Sequence, residues 1–487
     1  MNIFLHSDSS VYTVWAALVA AVHLLVILRA LIADGRDPSA RAAWVLALIV
    51  FPVIGVLAYL LIGEPWLTRR VRRGAARVAN RLDAMVQAAT SGASPSSDLP
   101  ENFVAAFRCC EALARCATSA GNAAHLAADS NAAIESIVAD IDVARDSVHL
   151  SFYIWLADRN GLRVAEAVMR AAKRGVACRV VADGIGSRAL IHSVHWEAMR
   201  SAGVQLCESL RLPRVFLPLL NNRVDLRNHR KIVVIDGTIT YVGSQNCADP
   251  EFLIKAKFAP WVDIMLRIEG PVARQNQLLF LSDWMAETGE DLTVLLSGRS
   301  PQSYADGVPM IAFGTGPLSP RGSMSDAFAC VLAGARREVV ISTPYFVPDL
   351  PLFSALICCA RRGVATTLIL PARNDSWAVA AISKAHYFDM LAAGVRIFEF
   401  HGGLLHAKTM VADGCVTLIG SANMDRRSLS LNFENNILLH SKALSETVRA
   451  RQNQYLASAT EVRMSDVPRS LRRRLWESVV TLFSPLL

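Results

Sequence analysis

Cysteine pairs of the zinc-binding type are missing from this sequence of 487 residues. Its ten cysteines are scattered along the chain, with no C-x-x-C arrangement and no cluster of cysteine with histidine. This spacing argues against the common zinc modules and against a disulfide framework, and it favours a reducing compartment. We therefore expect no zinc site, and the chemistry described below requires no metal.

Charged residues are also scarce. They make up 19% of the chain, whereas hydrophobic residues make up 53% and the mean hydropathy is +0.32. A chain this apolar is unusual for a soluble protein and indicates membrane segments. The formal net charge of +8 favours an anionic partner, and charge alone does not choose between nucleic acid and acidic phospholipid.

Lysine and arginine are absent from the first ten residues, which argues against a secretory signal peptide. Two long uncharged runs follow, Val11–Leu28 and Ala42–Ile62, and the first continues as an apolar stretch to Ala33. A helix of about 20 apolar residues crosses a bilayer. Residues 1–66 are therefore predicted to form a transmembrane hairpin, with helices at about 11–33 and about 42–62.

Arginines near the ends of these runs predict the orientation. Arg29, Arg36 and Arg41 lie between the two predicted helices. Six more follow the second helix, namely Arg69, Arg70, Arg72, Arg73, Arg77 and Arg81. Because cytoplasmic loops carry the excess of positive charge, both termini are expected in the cytoplasm. Residues 67–125 then form a basic juxtamembrane segment and a linker, polar around Thr90–Leu99, that can lie on an anionic membrane surface.

The rest of the chain repeats itself. Val148–Ile154 resembles Val340–Phe346, and both are short apolar runs typical of buried strands. Strands that alternate with helices indicate an α/β fold. We predict two similar α/β domains, at residues 126–295 and 296–487, in a pseudo-twofold arrangement with a site between them.

The strongest signal is a pattern that occurs once in each half. The first copy runs from His229 to Asn246 and the second from His406 to Asn423. Six positions recur with identical spacing: His229, Lys231, Asp236, Gly243, Ser244 and Asn246 in the first copy, and His406, Lys408, Asp413, Gly420, Ser421 and Asn423 in the second. Two such matches in one chain are not an accident.

The spacing predicts a hairpin in each copy. Histidine and lysine two residues apart lie on the same face of a strand, and Asp-Gly between apolar runs predicts a tight turn. Serine and asparagine on the return strand then lie close to the His–Lys end. Asp236 and Asp413 belong to the catalytic motif, but they fall at the far turn, where we expect them to be structural.

These side chains suit the cleavage of a phosphodiester. A neutral imidazole can attack phosphorus and form a phosphohistidine, while a protonated imidazole can donate to the departing alkoxide and then activate the next acceptor. Lysine and asparagine offer N–H donors to the phosphate oxygens. A reactive histidine also needs an acceptor for its second nitrogen. The candidates are Asp263, 34 residues after His229, and Glu434, 28 residues after His406.

The motifs closely resemble the signature of the phospholipase D superfamily, H-x-K-x₄-D-x₆-G-S-x-N in two copies. Over essentially its whole length the chain is similar to bacterial cardiolipin synthases. Arg36–Trp44 resembles that family's membrane hairpin, and Leu226–Lys231, Thr343–Asp349 and Leu405–Lys408 resemble its catalytic segments. The resemblance implies a protein of the bacterial inner membrane, and the two predicted helices with their arginines predict a multi-pass protein with its catalytic domains on the cytoplasmic side.

It also implies transfer of a phosphatidyl group from one phosphatidylglycerol to another, which gives cardiolipin and glycerol without a cofactor or a nucleic-acid partner. His229 would be the nucleophile and His406 the acid and base. Lys231, Lys408, Asn246 and Asn423 would hold the phosphate, with Ser244 and Ser421 in support. The oligomeric state stays open.

Three other functions fit part of the pattern. A membrane-tethered nuclease of the same superfamily fits the positive charge, but the basic residues cluster next to the predicted membrane segments, without the interleaved aromatic residues of a base-stacking surface. A hydrolytic phospholipase D would deliver the group to water, and the residues alone do not separate water from an alcohol. A catalytically dead scaffold is disfavoured because both His–Lys pairs are intact.

Overall fold

The computed structural model of the protein describes residues 6–33, 38–63, 69–90, 98–211, 226–298, 301–467 and 470–482. Most of the predicted polar stretch Thr90–Leu99 lies outside the described residues. The helices are α1 His6–Ile32, α2 Pro38–Val50, α3 Pro52–Ala58, α4 Arg69–Ala79, α5 Leu82–Thr90, α6 Val104–Ala114, α7 Ser130–Val143, α8 Arg159–Lys173, α9 Arg188–Ile191, α10 Val194–Ser201, α11 Val272–Thr288, α12 Ser323–Gly334, α13 Leu350–Arg361, α14 Trp377–Ala385, α15 Tyr387–Ala392, α16 Arg426–Ser430, α17 Lys442–Ala457 and α18 Leu471–Leu482.

The strands are β1 Ser119–Leu126, β2 Ser147–Phe152, β3 Ala177–Asp183, β4 Gln205–Ser209, β5 Ile232–Ile235, β6 Ile239–Gly243, β7 Trp261–Val262, β8 Met265–Glu269, β9 Val308–Thr315, β10 Glu338–Ser342, β11 Phe346–Val347, β12 Ala365–Pro371, β13 Arg396–Phe400, β14 Leu404–Leu405, β15 Thr409–Ala412, β16 Val416–Gly420, β17 Met424–Asp425, β18 Glu434–His440 and β19 Ala459–Val462.

Helix α1 is the apolar helix that the first uncharged run predicts. Its segment Tyr12–Ile32 has 21 residues and a mean hydropathy of 2.3, so it is long and apolar enough to cross a membrane. Among the described residues it is the one helix that meets both conditions.

The second predicted helix, at about 42–62, is interrupted in the structure, and the two-helix hairpin stays a prediction. Helix α2 ends at Val50, α3 begins at Pro52, and a π-helical turn follows at Tyr59–Gly63. Proline lacks a backbone N–H and disfavours the helical conformation in the residue before it. Phe51 accordingly has φ −125° and ψ 72°, outside the helical region.

The chain folds back on itself at this break. The rings of Trp44 and Tyr59 lie 5.2 Å apart, edge to face, whereas a straight helix would separate the two residues by about 22 Å. Gly55 allows the close approach, because a Cβ atom there would lie 2.7 Å from the carbonyl oxygen of Ala47. Helices α2 and α3 therefore form a short folded-back pair.

Within the predicted juxtamembrane segment and linker, residues 67–125, helices α4 and α5 pack on α11 of the first half, whereas α6 packs on β9 and α12 of the second. The arginine-rich helix α4 packs against α11. Gly74 permits this contact, because a Cβ atom there would lie 2.4 Å from the carbonyl oxygen of Ala286. Arg77 Nη2 donates to the same oxygen at 2.9 Å. The basic helix is thus fixed directly on α11 of the first half.

Both halves contribute to one 15-stranded sheet with the order β19-β13-β12-β10-β15-β16-β18-β9-β1-β8-β6-β5-β2-β3-β4. In the first half, β2, β3 and β4 are parallel, and the antiparallel hairpin β5–β6 lies beside β2. The second half repeats this with β10, β12 and β13 and the hairpin β15–β16. The halves join where β9 pairs with β1 and β18. The predicted α/β class with two similar halves is confirmed.

One long helix packs on the sheet in each half. Helix α11 contacts β5, β6 and β8 of the first half, and α17 contacts β10, β15 and β16 of the second. The motif strand β5, from Ile232 to Ile235, is completely buried, as is β15. Because these strands are fixed on both sides, the histidines that precede them are held in place.

Candidate active site

Each histidine motif enters a strand and returns through a hairpin. Strands β5 and β6 pair through Val233 and Tyr241, and β15 and β16 pair in the same way. The turn residues Asp236 and Asp413 both have φ of 52°, in the left-handed region that aspartate tolerates. The structure therefore contains the turns that Asp-Gly predicts.

The carboxylates of these two aspartates hold the neighbouring loop. Asp236 accepts the backbone N–H groups of Arg145, Asp146 and Ser147 at 3.0, 2.8 and 2.9 Å. Asp413 does the same in the second half with three consecutive residues, Arg336, Arg337 and Glu338. Both side chains thus fasten the hairpin turn to the residues that precede β2 and β10.

Each histidine is oriented by a carboxylate from the opposite half. Nδ1 of His229 lies 2.9 Å from Oε2 and 3.0 Å from Oε1 of Glu434. Nδ1 of His406 lies 2.6 Å from Oδ1 of Asp263. The order along the chain pairs each carboxylate with the histidine before it, and the structure corrects that pairing. Because Nδ1 is occupied, Nε2 is the nitrogen that can react.

Backbone contacts between the halves produce this exchange. The N–H of His229 donates to the carbonyl of Phe433 at 2.9 Å, and the N–H of Phe433 donates to the carbonyl of Arg227 at 3.0 Å. The N–H of His406 donates to the carbonyl of Val262 at 2.8 Å, where β14 pairs with β7. Each histidine thus lies beside the segment that carries the carboxylate of the other half, and neither site is complete within one half.

The motif serines bind the carboxylates. Ser244 Oγ donates to Oδ1 of Asp263 at 2.6 Å, and Ser421 Oγ donates to Oε2 of Glu434. The sequence pattern suggests that both serines support the phosphate. The structure places their hydroxyls on the orienting carboxylates, so they act on the chemistry through the histidines.

The motif lysines and asparagines are buried beside the histidines. Lys231 Nζ donates to the carbonyl oxygen of His229 at 2.7 Å, and Lys408 Nζ donates to that of His406 at 2.6 Å. Asn246 accepts the N–H of Ile154 at 3.3 Å, and Asn423 donates to Asp425 at 3.1 Å. The eight residues of the two His–Lys–Ser–Asn sets are all found at the predicted ends of the hairpins.

Burial governs the charge of the two histidines. Together with the positive charges of Lys231 and Lys408, it lowers the pKa of His229 and of His406 to about 4, against the opposing effect of the carboxylates. Each lysine influences the histidine of the other half as well as its own, so the two sites form one electrostatic unit. Both imidazoles are neutral near pH 7 before a substrate binds.

The lysines and carboxylates respond to the same surroundings. Burial lowers the pKa of Lys231 to about 8 and that of Lys408 to about 7, although the carboxylates oppose it. Burial raises the pKa of Asp263 and Glu434, but the histidines and lysines outweigh it and the net pKa of both carboxyls is lowered. A phosphodiester anion entering this site favours the charged forms of histidine and lysine.

Two aromatic rings that the sequence reasoning missed pack against the histidines. The ring centroid of Tyr153 lies 4.9 Å from that of His229, and the centroid of Trp261 lies 4.7 Å from that of His406. Tyr153 belongs to the repeated segment Val148–Ile154, which was an available signal. Trp261 stands two residues before Asp263, and only the pairing of the halves brings it to His406.

Asp183 was also missed. It is buried at the end of β3, accepts the N–H of Asn228 at 3.0 Å and forms an ion pair with Arg227 at 3.2 Å. These are the two residues that precede His229, so Asp183 positions the start of the first motif. A lone aspartate at the end of a strand offers little signal by itself.

The geometry suits two histidines that act in turn on one group. One neutral imidazole can attack, the other can exchange protons, and the lysines and asparagines supply N–H donors. Within the ranges that the structure describes, no group of three or more His, Cys, Asp or Glu side chains is placed to hold a metal ion.

Comparisons with known proteins agree with this site. The family described as "Cardiolipin synthase, PLD-like domain" matches residues 137–284 and 329–456, and a family described as "Phospholipase_D-nuclease N-terminal" matches residues 15–64. The chain belongs to the cardiolipin synthases of the phospholipase D superfamily. The two cardiolipin synthase matches carry His229 and His406, one each. The N-terminal match and the apolar helix α1 indicate that the chain is associated with a membrane.

The resemblance to cardiolipin synthases extends over the whole chain. "Cardiolipin synthase A" of Escherichia coli O157:H7 is 36% identical over 501 residues, which cover 98% of this chain and 100% of the relative. The protein of the same name from Shigella dysenteriae serotype 1 has the same identity and coverage. The crystal structure of a phosphatidylserine synthase from Haemophilus influenzae Rd KW20 aligns over 78% of this chain and 100% of its own, with a TM-score of 0.57 and 13% identity. This last likeness shows the fold alone.

Proposed function

We propose that this cardiolipin synthase transfers a phosphatidyl group from one phosphatidylglycerol to another and releases glycerol. The observation that carries the proposal is the pair of buried histidines whose Nδ1 atoms are held by Glu434 and Asp263. Two histidines held in this way can divide one displacement into two easier steps. The relatives named cardiolipin synthase A support the choice of lipid.

In the first step, Nε2 of His229 attacks the phosphorus of phosphatidylglycerol. A P–N bond forms, the P–O bond to the headgroup glycerol breaks, and protonated His406 gives its proton to the departing oxygen. Glu434 stabilises the positive charge that develops on His229. Burial lowers the pKa of His406 to about 4 in the free site, and the negative phosphodiester raises it again on binding.

In the second step, neutral His406 accepts a proton from a hydroxyl of the second phosphatidylglycerol. The resulting oxygen attacks phosphorus, the P–N bond breaks, and His229 returns to its neutral form. Two molecules of phosphatidylglycerol thus give one cardiolipin and one glycerol. The assignment of attack to His229 follows the family resemblance, and the near symmetry of the halves makes the reverse assignment the alternative.

The remaining polar groups act on the phosphate or on the histidines. We propose that Lys231, Lys408, Asn246 and Asn423 donate to its non-bridging oxygens, where negative charge accumulates in both transition states. Ser244 and Ser421 keep the two carboxylates in place. Asp236 and Asp413 hold the hairpin turns.

A hydrolytic phospholipase D would use water in the second step. His229 is 7% exposed and His406 is 3% exposed, and the rings of Tyr153 and Trp261 pack against them. A second lipid that fills this covered site would expel water from it before the second step. We therefore favour the lipid alcohol as the acceptor. The assay described below distinguishes transfer to a lipid from transfer to water.

We also propose that the catalytic halves lie on the cytoplasmic side of a bacterial inner membrane, against its anionic surface. Helix α1 crosses the bilayer, and the folded-back pair α2–α3 enters and leaves on the cytoplasmic side. All nine arginines from Arg29 to Arg81 are then cytoplasmic, as the distribution of positive charge requires. In the multi-pass alternative, where the second run crosses, three of these arginines face outward.

The test uses the purified protein in detergent with phosphatidylglycerol and a chelator. We expect cardiolipin and free glycerol in equal amounts. Phosphatidic acid without cardiolipin would identify a hydrolase. Cleavage of DNA without turnover of lipid would identify a nuclease and overturn the proposal. His229→Ala and His406→Ala serve as controls, and full activity in either variant would contradict the mechanism.

A further inference from the structure

Helix α18 is amphipathic, but its apolar face is exposed to solvent, whereas helices of globular proteins normally bury that face. Four aliphatic residues share one face, and all four are exposed: Leu471 at 71%, Leu475 at 59%, Val479 at 49% and Leu482 at 45%. The opposite face is half-buried and mixed, with Val480 and Thr481 beside Arg473 and Glu477, which pair at 2.7 Å. A helix that packs on a protein normally buries its apolar face. Here α18 lies against α14 and presents its apolar face outward.

Further exposed apolar side chains continue this face. Trp377, at the start of α14, is 71% exposed, and its ring lies 6.0 Å from that of Trp476. Leu253 and Ile254, in the 3₁₀ helix Leu253–Phe258, are also exposed. We call these eight residues the outer apolar face: Leu253, Ile254, Trp377, Leu471, Leu475, Trp476, Val479 and Leu482.

Contacts between the halves join the two parts of the outer apolar face. Lys255 pairs with Asp375 at 2.5 Å, and Arg373 Nη2 donates to the carbonyl oxygen of Lys257 at 2.7 Å. Asp375 and Arg373 lie in the loop that leads directly to Trp377. The 3₁₀ helix of the first half and helices α14 and α18 of the second therefore form one continuous surface.

The outer apolar face is bordered by positive charge. Arg472 and Arg474 are exposed on either side of the aliphatic stripe of α18, and Lys255, Lys257 and Arg373 are exposed around the 3₁₀ helix. Tryptophan is enriched at the membrane–water interface, where its ring lies at the level of the lipid headgroups. Basic residues around such a face are attracted to anionic lipids. The composition thus fits a bilayer surface that contains acidic phospholipid.

The outer apolar face also adjoins the active site. Phe252, immediately before Leu253, stacks on Trp261 with ring centroids 4.0 Å apart. Trp261 in turn lies 4.7 Å from the ring of His406. A lipid held in a bilayer beneath Leu253 and Ile254 is therefore two rings away from a catalytic histidine.

We propose that the outer apolar face docks the catalytic halves onto an anionic bilayer, as a membrane contact additional to helix α1. Leu253, Ile254 and the stripe of α18 enter the headgroup region, while the surrounding arginines and lysines contact acidic headgroups. The mouth of the site is then held at the depth of the phosphodiesters. This contact does not depend on whether the acceptor is phosphatidylglycerol or water, so its failure and the failure of the proposed reaction are distinguishable.

The test places an environment-sensitive fluorophore on the full-length protein in vesicles of phosphatidylglycerol and phosphatidylcholine that contain spin-labelled lipid. Labels are attached at Leu475→Cys and Val479→Cys in a Cys358→Ser background, which removes the exposed cysteine. The matched control is Glu446→Cys, an exposed position of α17 outside the face. We expect quenching at both α18 positions to be several-fold stronger than at the control.

Two further arms complete the test. Vesicles of phosphatidylcholine alone should quench the α18 labels less, because the basic border loses its anionic partner. Val479→Glu should reduce quenching of a label at Leu475, whereas Val143→Glu, at an exposed valine of α7 outside the face, should leave it unchanged. Equal quenching at all three labelled positions would overturn the proposal. So would cross-linking between α18 helices of two copies without quenching, which would identify the face as a dimer contact.

Discussion

Nδ1 of His229 lies 2.9 Å from Oε2 of Glu434, a residue 205 positions later in the chain. The other pair runs in the opposite direction, because His406 is bound by Asp263, 143 positions before it. Each half of the duplication supplies the histidine of one pair and the carboxylate of the other. If the two histidines have separate roles, the two carboxylates must have separate kinetic effects.

Glu434→Gln is expected to slow phosphohistidine formation on His229 by about 10²- to 10⁴-fold. Glutamine is similar in shape but cannot stabilise positive charge on the imidazole. A phosphatidyl ester with an activated leaving group isolates this step, because its departure needs no proton from His406. Rapid mixing with this substrate measures the burst of released leaving group.

Asp263→Asn is the matched control for this prediction. It acts on His406, so the burst from the activated ester should remain fast while transfer to the acceptor becomes slow, and the phosphorylated enzyme should accumulate. A slow burst in Asp263→Asn with a fast burst in Glu434→Gln would assign attack to His406.

Replacement of Asp413 by asparagine should reduce stability and leave turnover of the folded enzyme close to wild type. Its carboxylate accepts N–H groups of Arg336, Arg337 and Glu338, and a charged acceptor of this kind contributes roughly 2 kcal/mol. Asparagine still tolerates the positive φ of the turn. Thermal unfolding should shift by roughly 2 °C, because the entropy of unfolding of so long a chain is large, whereas Asp142→Asn, which removes a surface ion pair, should change little. Loss of turnover without loss of stability would contradict the structural role.

The activity should decline as the pH rises through the range of the buried lysines. Burial lowers the pKa of Lys408 to about 7 and that of Lys231 to about 8, and a lysine that loses its proton no longer attracts the phosphate. Since kcat/KM reports groups of the free enzyme, loss of the His406 proton begins its decline at lower pH, and loss of the lysine charges should add a steeper alkaline limb near this range. Lys408→Arg keeps the charge and should move the limb to higher pH, whereas Lys442→Arg on the exposed surface of α17 should not. An unmoved limb in Lys408→Arg would remove Lys408 from this role.

The folded-back pair α2–α3 predicts opposite sides of the membrane for the N-terminus and for residues between α1 and α2. In intact cells, a membrane-impermeant thiol reagent should label Ser10→Cys and should label Ala40→Cys only after permeabilisation. Both variants are made in the Cys358→Ser background, and Glu446→Cys marks the cytoplasmic side. Labelling of Ala40→Cys from outside, with Ser10→Cys protected, would establish two crossings.

Local patterns in the sequence predicted much of the fold and most of the site. Asp236-Gly237 between apolar strands predicted a hairpin because a tight turn depends on neighbouring residues alone. The spacing of His229 and Lys231 predicted one face of a strand for the same reason. Repetition of these patterns around His406 predicted two similar halves, and the continuous sheet agrees.

Contacts between distant segments could not be predicted in this way. Nothing near Glu434 in the sequence shows that its segment lies beside His229, because that neighbour depends on how the halves pack. Pro52 posed a different difficulty. Proline kinks some membrane helices and ends others. Here the helix ends, and Gly55 packs closely against Ala47. Trp261 reaches the second motif, and Asp183 the first, only through tertiary structure.

The exchange of carboxylates also determines when the enzyme becomes competent during its synthesis. Chains are made from the N-terminus, and domains tend to fold in that order. Strands β2 to β6 can assemble while the second half is still being translated, with His229 already in its hairpin. At that stage Glu434 does not yet exist, so His229 lacks its acceptor. A nascent chain whose first half is already folded is therefore inactive until translation has passed Glu434.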